Sequence, residues 1–329
     1  MSEMIPLKLD RYSFLGDDWI EDGHGFTAPL VQGRPDQMLI FADRLRNGSI
    51  STDITVLDSE DPHNGEPPNE AAVIVRYGGF DNYAYAGVGG FGAKFFIGKA
   101  FQGPHWLVRS YVGQHKSVLK NKKYRLRVDF LGSQIKLYEN DVQQLVMVDD
   151  TYQIGQFGLR TWRTSARYEN VRVLKARPRA FLLMPFKSEF DFVRDVIQDS
   201  MISFGLDYVR ADQIAISRPV MDDVKTQIAE ADLIIVDFTG RNPNVYYEAG
   251  LADAMRKDWI ILVQSTDDMT FDVRHIRSIQ YSNVMGADQK LRTDIENALS
   301  ALGYGETSLT STVGKTAGAP SPRNRVAPQ

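Results

Sequence analysis

Cysteine is absent from the 329 residues, which excludes disulfides, a thiol nucleophile and cysteine-ligated zinc or iron–sulfur centres. No apolar run approaches the length that spans a bilayer, and the opening segment from Met1 to Phe14 lacks the apolar core of a signal peptide. A soluble, cytoplasmic protein without a membrane partner is therefore expected. A basic surplus is missing too. The 38 Lys and Arg against 42 Asp and Glu leave a net charge of −4, which argues against a general nucleic-acid binder, since that needs a basic face to neutralise phosphates. Histidine is scarce at five residues, and His24, His63, His105 and His115 fall at no metal-ligand spacing. Dense Asp/Asn clusters with the spacing of an EF-hand are lacking as well. No metal and no cofactor are expected.

What is present divides into two halves, and the length suits two domains of ordinary size. Residues 1–176 read as all-β. The clearest strand runs from Tyr124 to Phe130, where Tyr124, Leu126, Val128 and Phe130 alternate with Arg125, Arg127 and Asp129, the period of a sheet with one wet face. Further strands are expected over 49–56, 71–77, 83–88, 134–139, 156–161 and 168–174. Turn-rich breaks such as Gly78-Gly79, Gly89-Gly90 and Glu139-Asn140-Asp141 point to a sandwich or jelly roll. The polar stretch from Asp58 to Asn69 reads as an exposed loop. A short basic boundary containing Pro178 follows, and the two halves should abut there.

From Phe181 onward the pattern changes to apolar runs alternating with helical periodicity. Phe181–Met184, Leu206–Val209, Leu233–Val236 and Trp259–Val263 read as buried strands, with a fifth short strand within Phe271–Tyr281. Phe190, Val193, Ile197, Met201 and Phe204 recur at helical spacing, as do Leu291, Ile295, Leu299 and Leu302. Ser188 with Asp191 resembles a capping pair. Met184 and Met201 read as core. Beyond Gly303 the composition is too poor in bulky apolar residues to build a core, and residues 303–329 are expected to be disordered. The resulting unit is an α/β flavodoxin-like parallel sheet with strand order 2-1-3-4-5, and ligands bind such sheets at the carboxyl ends of the strands.

Its central stretch is Ala231 to Lys257. There an apolar strand meets Asp237, then a turn-forming loop, then a helix carrying Glu248. Asn242 or Asn244 suits the helix N-cap beside Pro243. Such carboxylates could hold a ribose hydroxyl or stabilise an oxocarbenium-like sugar. Equally, Asp237 could cap the loop and Glu248 could be a solvated helix residue favoured by the helix N-terminus.

The segments Phe181–Phe186, Tyr208–Asp212, Ala231–Gly250 and Phe271–Tyr281 appear in an order that resembles the nucleoside 2-deoxyribosyltransferase-like family, related in fold to Toll/interleukin-receptor (TIR) domains. The resemblance covers residues 180–302, with Thr270 standing where many relatives carry proline. It implies that Glu248 is catalytic at the C1′ carbon of a ribose or deoxyribose. Asp237, Asn242, Asn244, Tyr247, Pro185 and Phe186 would bind substrate, joined by Arg210, Asp212 and Arg218 at the pocket border. The implied activity is cleavage or transfer of an N-glycosidic bond in a nucleotide or nucleoside. NAD leads as substrate, since TIR-like domains joined to a second module often act as NAD-consuming effectors in bacterial antiphage defence. A homo-oligomer is implied with it.

The first half resembles the concanavalin A-like sandwich superfamily, which includes laminin-G-like modules, on the segments Tyr124–Val128, Ser133–Tyr138, Gly158–Trp162 and Tyr168–Val173. That resemblance implies a recognition or assembly module with a carbohydrate or protein ligand. Trp106, Tyr111, Trp162, Tyr83 and Tyr85 are its candidate sugar-stacking rings, while large aromatics equally serve as β-core. Three rival functions stand beside the NAD reading: a nucleoside 2-deoxyribosyltransferase, a non-catalytic nucleotide sensor, and a carbohydrate-binding protein with a regulatory α/β domain. A paired-carboxylate cleft in the sandwich would support the last, and no spacing in the sequence reveals such a pair.

Overall fold

A computed structural model of the chain describes residues 4–33, 36–59, 70–101, 105–185, 187–210, 220–282, 284 and 286–305. The sandwich strands are β1 (Met4–Pro6), β2 (Tyr12–Leu15), β3 (Ile20–Glu21), β4 (Gly25–Thr27), β5 (Asp36–Leu45), β6 (Asn47–Ser59), β7 (Glu70–Gly79) and β8 (Asn82–Val88). They continue as β9 (Phe95–Phe101), β10 (His105–Val112), β11 (Lys123–Leu131), β12 (Gln134–Glu139), β13 (Val142–Val148), β14 (Gly155–Trp162) and β15 (Thr164–Ala176). An eight-stranded sheet has the order β13-β12-β11-β6-β15-β4-β3, with β1 added on β15, and a seven-stranded sheet has the order β10-β9-β8-β7-β14-β5-β2.

The alternation seen in the sequence is what joins the two sheets. Tyr124, Leu126, Val128 and Phe130 of β11 are fully buried against Leu39, Phe41, Val73, Phe157 and Leu159 of the facing sheet. Each such ring or branched chain contributes about 1.5–3 kcal/mol on burial. On the other face of β11, Arg125 pairs with Asp53 of β6 at 3.2 Å. The β12–β13 hairpin turns on Asn140 and Asp141, whose φ angles of 50° and 63° match the primed turn that fits strand twist.

The remaining elements are β16 (Arg179–Leu183), α1 (Asp191–Ser203), β17 (Asp207–Arg210), α2 (Val220–Glu230), β18 (Leu233–Asp237), α3 (Pro243–Ala254), β19 (Asp258–Val263), β20 (Ser278–Gln280) and α4 (Asp288–Ala301). The five strands pair in parallel in the order β17-β16-β18-β19-β20. Val193 and Ile197 of α1 join Leu291 and Ile295 of α4 over one face of this sheet. Val224 and Ile228 of α2 join Val245 and Ala249 of α3 over the other. Because helices cover both faces, β18 is an unbroken apolar run up to Asp237.

Three local expectations change. Ser188–Phe190 form a 3-10 turn ahead of α1, and no side chain caps either helix start. The expected capping pair is therefore corrected: Asp191 is already the first residue of α1, and its carboxylate pairs with Arg194. Beyond Gly303, Tyr304 is buried and donates to the Asp232 carbonyl at 3.2 Å. One aromatic past the last helix thus belongs to the core. The expected loop lies outside the described residues except for Asp58 and Ser59, which end β6, and residues 306–329 lie outside them too. Among the described residues no helix is long and apolar enough to cross a membrane.

Candidate functional site

Asp237 ends β18 at the carboxyl edge of the parallel sheet. The chain then turns through Thr239–Arg241, where Gly240 adopts φ 74°, and enters α3 behind Asn242. The Asn242 side chain accepts from the Asn244 amide at 3.0 Å, capping the helix, while Pro243 fills the first-turn position that lacks a need for an N–H. A cleft of about 370 Å³ opens over this turn, lined by Pro185, Lys187, Phe190, Arg241, Asn242 and Gln264 among others.

Asp237 itself is wholly buried. One carboxylate oxygen accepts from the Thr239 amide at 2.9 Å and the other from the Tyr281 hydroxyl at 2.6 Å. Tyr281 in turn receives the Gln264 amide at 3.3 Å and lies 3.4 Å from the Thr239 hydroxyl. Burial pushes the Asp237 carboxyl above the usual carboxylate range, against its hydrogen bonds from Thr239 and Tyr281, and burial also raises the Tyr281 phenol. Glu248 is half-buried on α3 and is likewise raised by burial. Tyr247 is exposed, and Arg210 is half-buried at the end of β17.

The structure therefore brings Pro185 and Asn242 to the cleft, sets Asp237 beneath it, and leaves Asn244, Tyr247 and Glu248 along α3 beyond its lining. Phe186, Asp212 and Arg218 lie outside the described residues. Tyr281, which closes the last family-like segment, is a partner of Asp237 that its sequence position did not suggest. None of the groups acting on Asp237 is a cation. A carboxyl raised in the folded state stabilises below the ordinary carboxylate range, and that contribution is lost as pH rises through the raised value. Asp237→Asn keeps both contacts, with its amide donating to the Tyr281 oxygen. It is expected to gain about 1 kcal/mol at neutral pH. Urea unfolding at pH 7 checks this, and a loss of stability would refute it.

The second candidate lies on the sandwich. The seven-stranded sheet packs Leu39, Phe41, Val73, Ala84 and Leu159 inward, so the intervening residues Asp36, Met38, Ile40, Glu70, Ala72, Tyr83, Tyr85, Arg160 and Trp162 share its outer face. Asp36 and Glu70 are the register partners of Trp162 on its two sides. Arg160 reaches both acids, donating to Asp36 at 2.9 and 3.2 Å and pairing with Glu70. Its guanidinium lies 4.9 Å from the Tyr85 ring centre and 5.5 Å from that of Trp162, within cation–π range. This acid pair bridged by one arginine is a cluster the sequence reading did not find.

Further along the same face, an open groove of about 580 Å³ is lined by Ser13, Leu15, Ile40, Tyr77 and Gln156, with Asp10, Arg11 and Tyr12 also contributing. Gln156 donates to the carbonyls of Phe41 and Ala42 at 3.1 and 3.4 Å, which fixes its amide and leaves its oxygen as acceptor. Tyr77 lies 5.8 Å from Tyr83, which continues to Tyr85 at 5.5 Å. Of the expected sugar-stacking rings, Tyr83 and Tyr85 are fully buried and serve as packing; this corrects their assignment. Tyr111 is 70% exposed, opposite Phe96, and Trp162 is half-buried. The side chain of Trp106 lies outside the described residues. Among the described residues no cluster of three metal-ligating side chains occurs.

No protein-family model and no curated protein matches this chain. Among solved structures, it is similar to a carbohydrate-binding module, CBM66, from Bacillus subtilis, at 22% identity and a TM-score of 0.41, over 52% of this chain and 96% of the module. A Bacillus subtilis protein of unknown function with a galectin-like fold matches at 14% identity and a TM-score of 0.41, over 54% of this chain and all of the other. A 2-desoxiribosyltransferase from Leishmania mexicana matches at 12% identity and a TM-score of 0.25, over 27% of this chain and 65% of the other. The expectation of NAD hydrolysis by a TIR-like antiphage effector is corrected by these findings. Two of the three are named as a carbohydrate-binding module and a galectin-like fold and cover about half of this chain, the deoxyribosyltransferase likeness is weak and partial, and none of the three is named as a TIR domain or an NAD-cleaving enzyme.

Proposed function

We propose that this chain is a carbohydrate-binding protein that takes a neutral sugar on the outer face of its seven-stranded sheet, under the control of its α/β half. One observation carries the reading: the open groove lined by Tyr77, Ser13 and Gln156 on a sheet face that is not the inter-sheet core. A sugar ring has an apolar C–H face and a hydroxyl edge. Tyr77 offers a ring to the first, and the Ser13 hydroxyl and Gln156 amide offer a donor and acceptors to the second. The groove volume is that of a small-ligand site. Binding fits better than glycoside cleavage, because Asp36 and Glu70 are both paired with the one buried Arg160 and neither is arranged to pass a proton to a leaving group.

In this reading the sandwich comprises residues 1–176, and residues 180–302 form a flavodoxin-like regulatory unit. Its effector site would be the cleft at Pro185 and Asn242, bordered by Asn244, Tyr247 and Glu248 along α3 and by Arg210 at the end of β17, with Asp237 positioning Tyr281 beneath it. A panel of neutral oligosaccharides tested by calorimetry against wild type, Tyr77→Ala and Glu248→Gln decides the matter. Wild type should bind a member of the panel. Tyr77→Ala should weaken it by about tenfold or more, the loss of one aromatic contact, and Glu248→Gln should retain direct binding. A wild type that binds no member, or a Tyr77→Ala variant that binds as well, would overturn the reading.

A further inference from the structure

The two-residue turn Gly132-Ser133 between β11 and β12 projects from the sandwich onto the connection between α2 and β18. The Ser133 amide donates to the Ala229 carbonyl at 2.9 Å, and its hydroxyl donates to the same oxygen at 3.0 Å. Gly132 adopts φ 53°, and a Cβ there would stand 2.5 Å from the Ala229 oxygen and 2.7 Å from the Ala231 oxygen. Only glycine allows both the turn and this approach of two backbones.

A second tie comes from the opposite direction. Lys257 leads from α3 into β19 and is buried. Its ammonium donates to the Ser133 hydroxyl at 3.1 Å and to the carbonyls of Ala229 and Ala231 at 2.8 and 2.7 Å. All three of its donors are used. A third tie runs through Asn47 of β6, which accepts from the Gly132 amide at 3.0 Å and donates to the Asp232 carboxylate at 2.5 Å. Asp232 also accepts from the Arg179 amide at 2.8 Å. Arg76 of β7 closes the network from the sandwich side by donating to the Gly132 carbonyl. At the rim Lys136 pairs with Glu230 at 2.9 Å, and Arg46 stacks over Tyr304 at 5.1 Å.

The ties on the α/β side fall at the end of α2, at the amino-terminal ends of β16, β18 and β19, and on Tyr304 beyond α4, opposite the edge that carries Asp237 and Gln264. The strand between the joint and Asp237 spans only about 16 Å at the usual rise per residue. Buried polar networks of this kind are expensive to open in part, since each broken link strands a donor or acceptor away from water.

We propose that this joint makes the sandwich and the parallel sheet one cooperative unit, so that β18 and α3 open together with β11 and β12 and not before them. The inference is independent of what the sandwich binds. It supplies the route by which a ligand on either half would stabilise the other, because a ligand that holds one part of a cooperative unit closed holds all of it.

Hydrogen exchange by mass spectrometry on the full chain, across a series of sub-denaturing urea concentrations, tests it. In wild type, peptides from 124–139 and from 233–254 should reach the same opening free energy and the same urea dependence. Clearly different values would overturn the proposal without recourse to any variant. Lys257→Met should then accelerate exchange across 233–254 by about tenfold or more, the consequence of unmaking buried hydrogen bonds, while 124–139 keeps its protection. No acceleration would also overturn it, whereas equal acceleration of both segments would show that the remaining ties still couple the two halves and would support it.

Discussion

Arg160→Met is expected to destabilise the protein by about 3–5 kcal/mol, because it leaves two acids in a dry environment without their cation. Arg160 is 2% exposed, and the side chains of Glu70 and Asp36 are 4% and 11% exposed. No solvent is at hand to take over its role. The methionine retains the stem volume and keeps contact with Tyr85 and Trp162, so packing loss contributes little and the measured change reports the charges. A triple variant that also carries Asp36→Asn and Glu70→Gln should recover most of the loss, since burying neutral amides is far less costly than burying unpaired carboxylates. Urea unfolding of the single and triple variants at neutral pH measures both. A single variant within about 1 kcal/mol of wild type would mean that the acids reach water and that the cluster is a surface feature. The same experiment bears on the proposed sugar site, which shares its sheet face with this cluster: the triple variant should bind as wild type does if the groove at Tyr77 is the site.

The reason this cluster escaped the sequence reading is physical. Trp162 and Arg160 sit on a strand whose alternation is visible, but their partners come from the first residues of β5 and β7, far apart in the chain. Only the order β7-β14-β5 brings them together. Strands with one wet face were legible: Tyr124–Phe130 alternates, and β11 has that boundary within a residue at either end. Strands buried on both faces were legible only in part: β7 and β8 are expected over 71–77 and 83–88, whereas β5 and β9 are not. Phe95 and Ile97 of β9 face the inter-sheet core while Phe96 and Ala100 lie in the outer-face cluster, so the alternation that would mark a strand vanishes. β5 is concealed in the same way by its run Met38-Leu39-Ile40-Phe41. In the parallel sheet the opposite holds, since continuous apolar runs bounded by helices are themselves the signal, and Leu233–Val236 and Trp259–Val263 were read almost to the residue. The cap was legible as Asn242 or Asn244 beside Pro243, and the structure gives it to Asn242. The burial of Asp237 was not, because it depends on Tyr281 arriving from a strand two places further along the sheet.

Lys257 gives the second large effect, and its direction runs against intuition for a salt-rich joint. Burial lowers its pKa from 10.5 to about 8, with Arg76 adding to the lowering while Asp232, Asp150 and Asp258 oppose it. The three hydrogen-bond acceptors around the ammonium are neutral oxygens, so no carboxylate in direct contact offsets its desolvation. In the unfolded chain the lysine holds its proton up to its ordinary pKa, whereas in the folded chain it releases it near pH 8. Between those values the unfolded state binds more protons, and stability therefore rises with pH. The wild-type protein should gain up to about 3 kcal/mol from this residue between pH 8 and 10.5. Buried tyrosines such as Tyr281 and Tyr304, whose pKa values are raised, work the other way above their ordinary range near 10. The clean quantity is therefore the difference between wild type and Lys257→Met, followed by urea unfolding from pH 7 to 10. That difference should shift in favour of wild type as pH rises. A flat difference would mean that water reaches the ammonium, and a joint penetrated by water at Lys257 would no longer confine the opening of β18 to that of the sandwich.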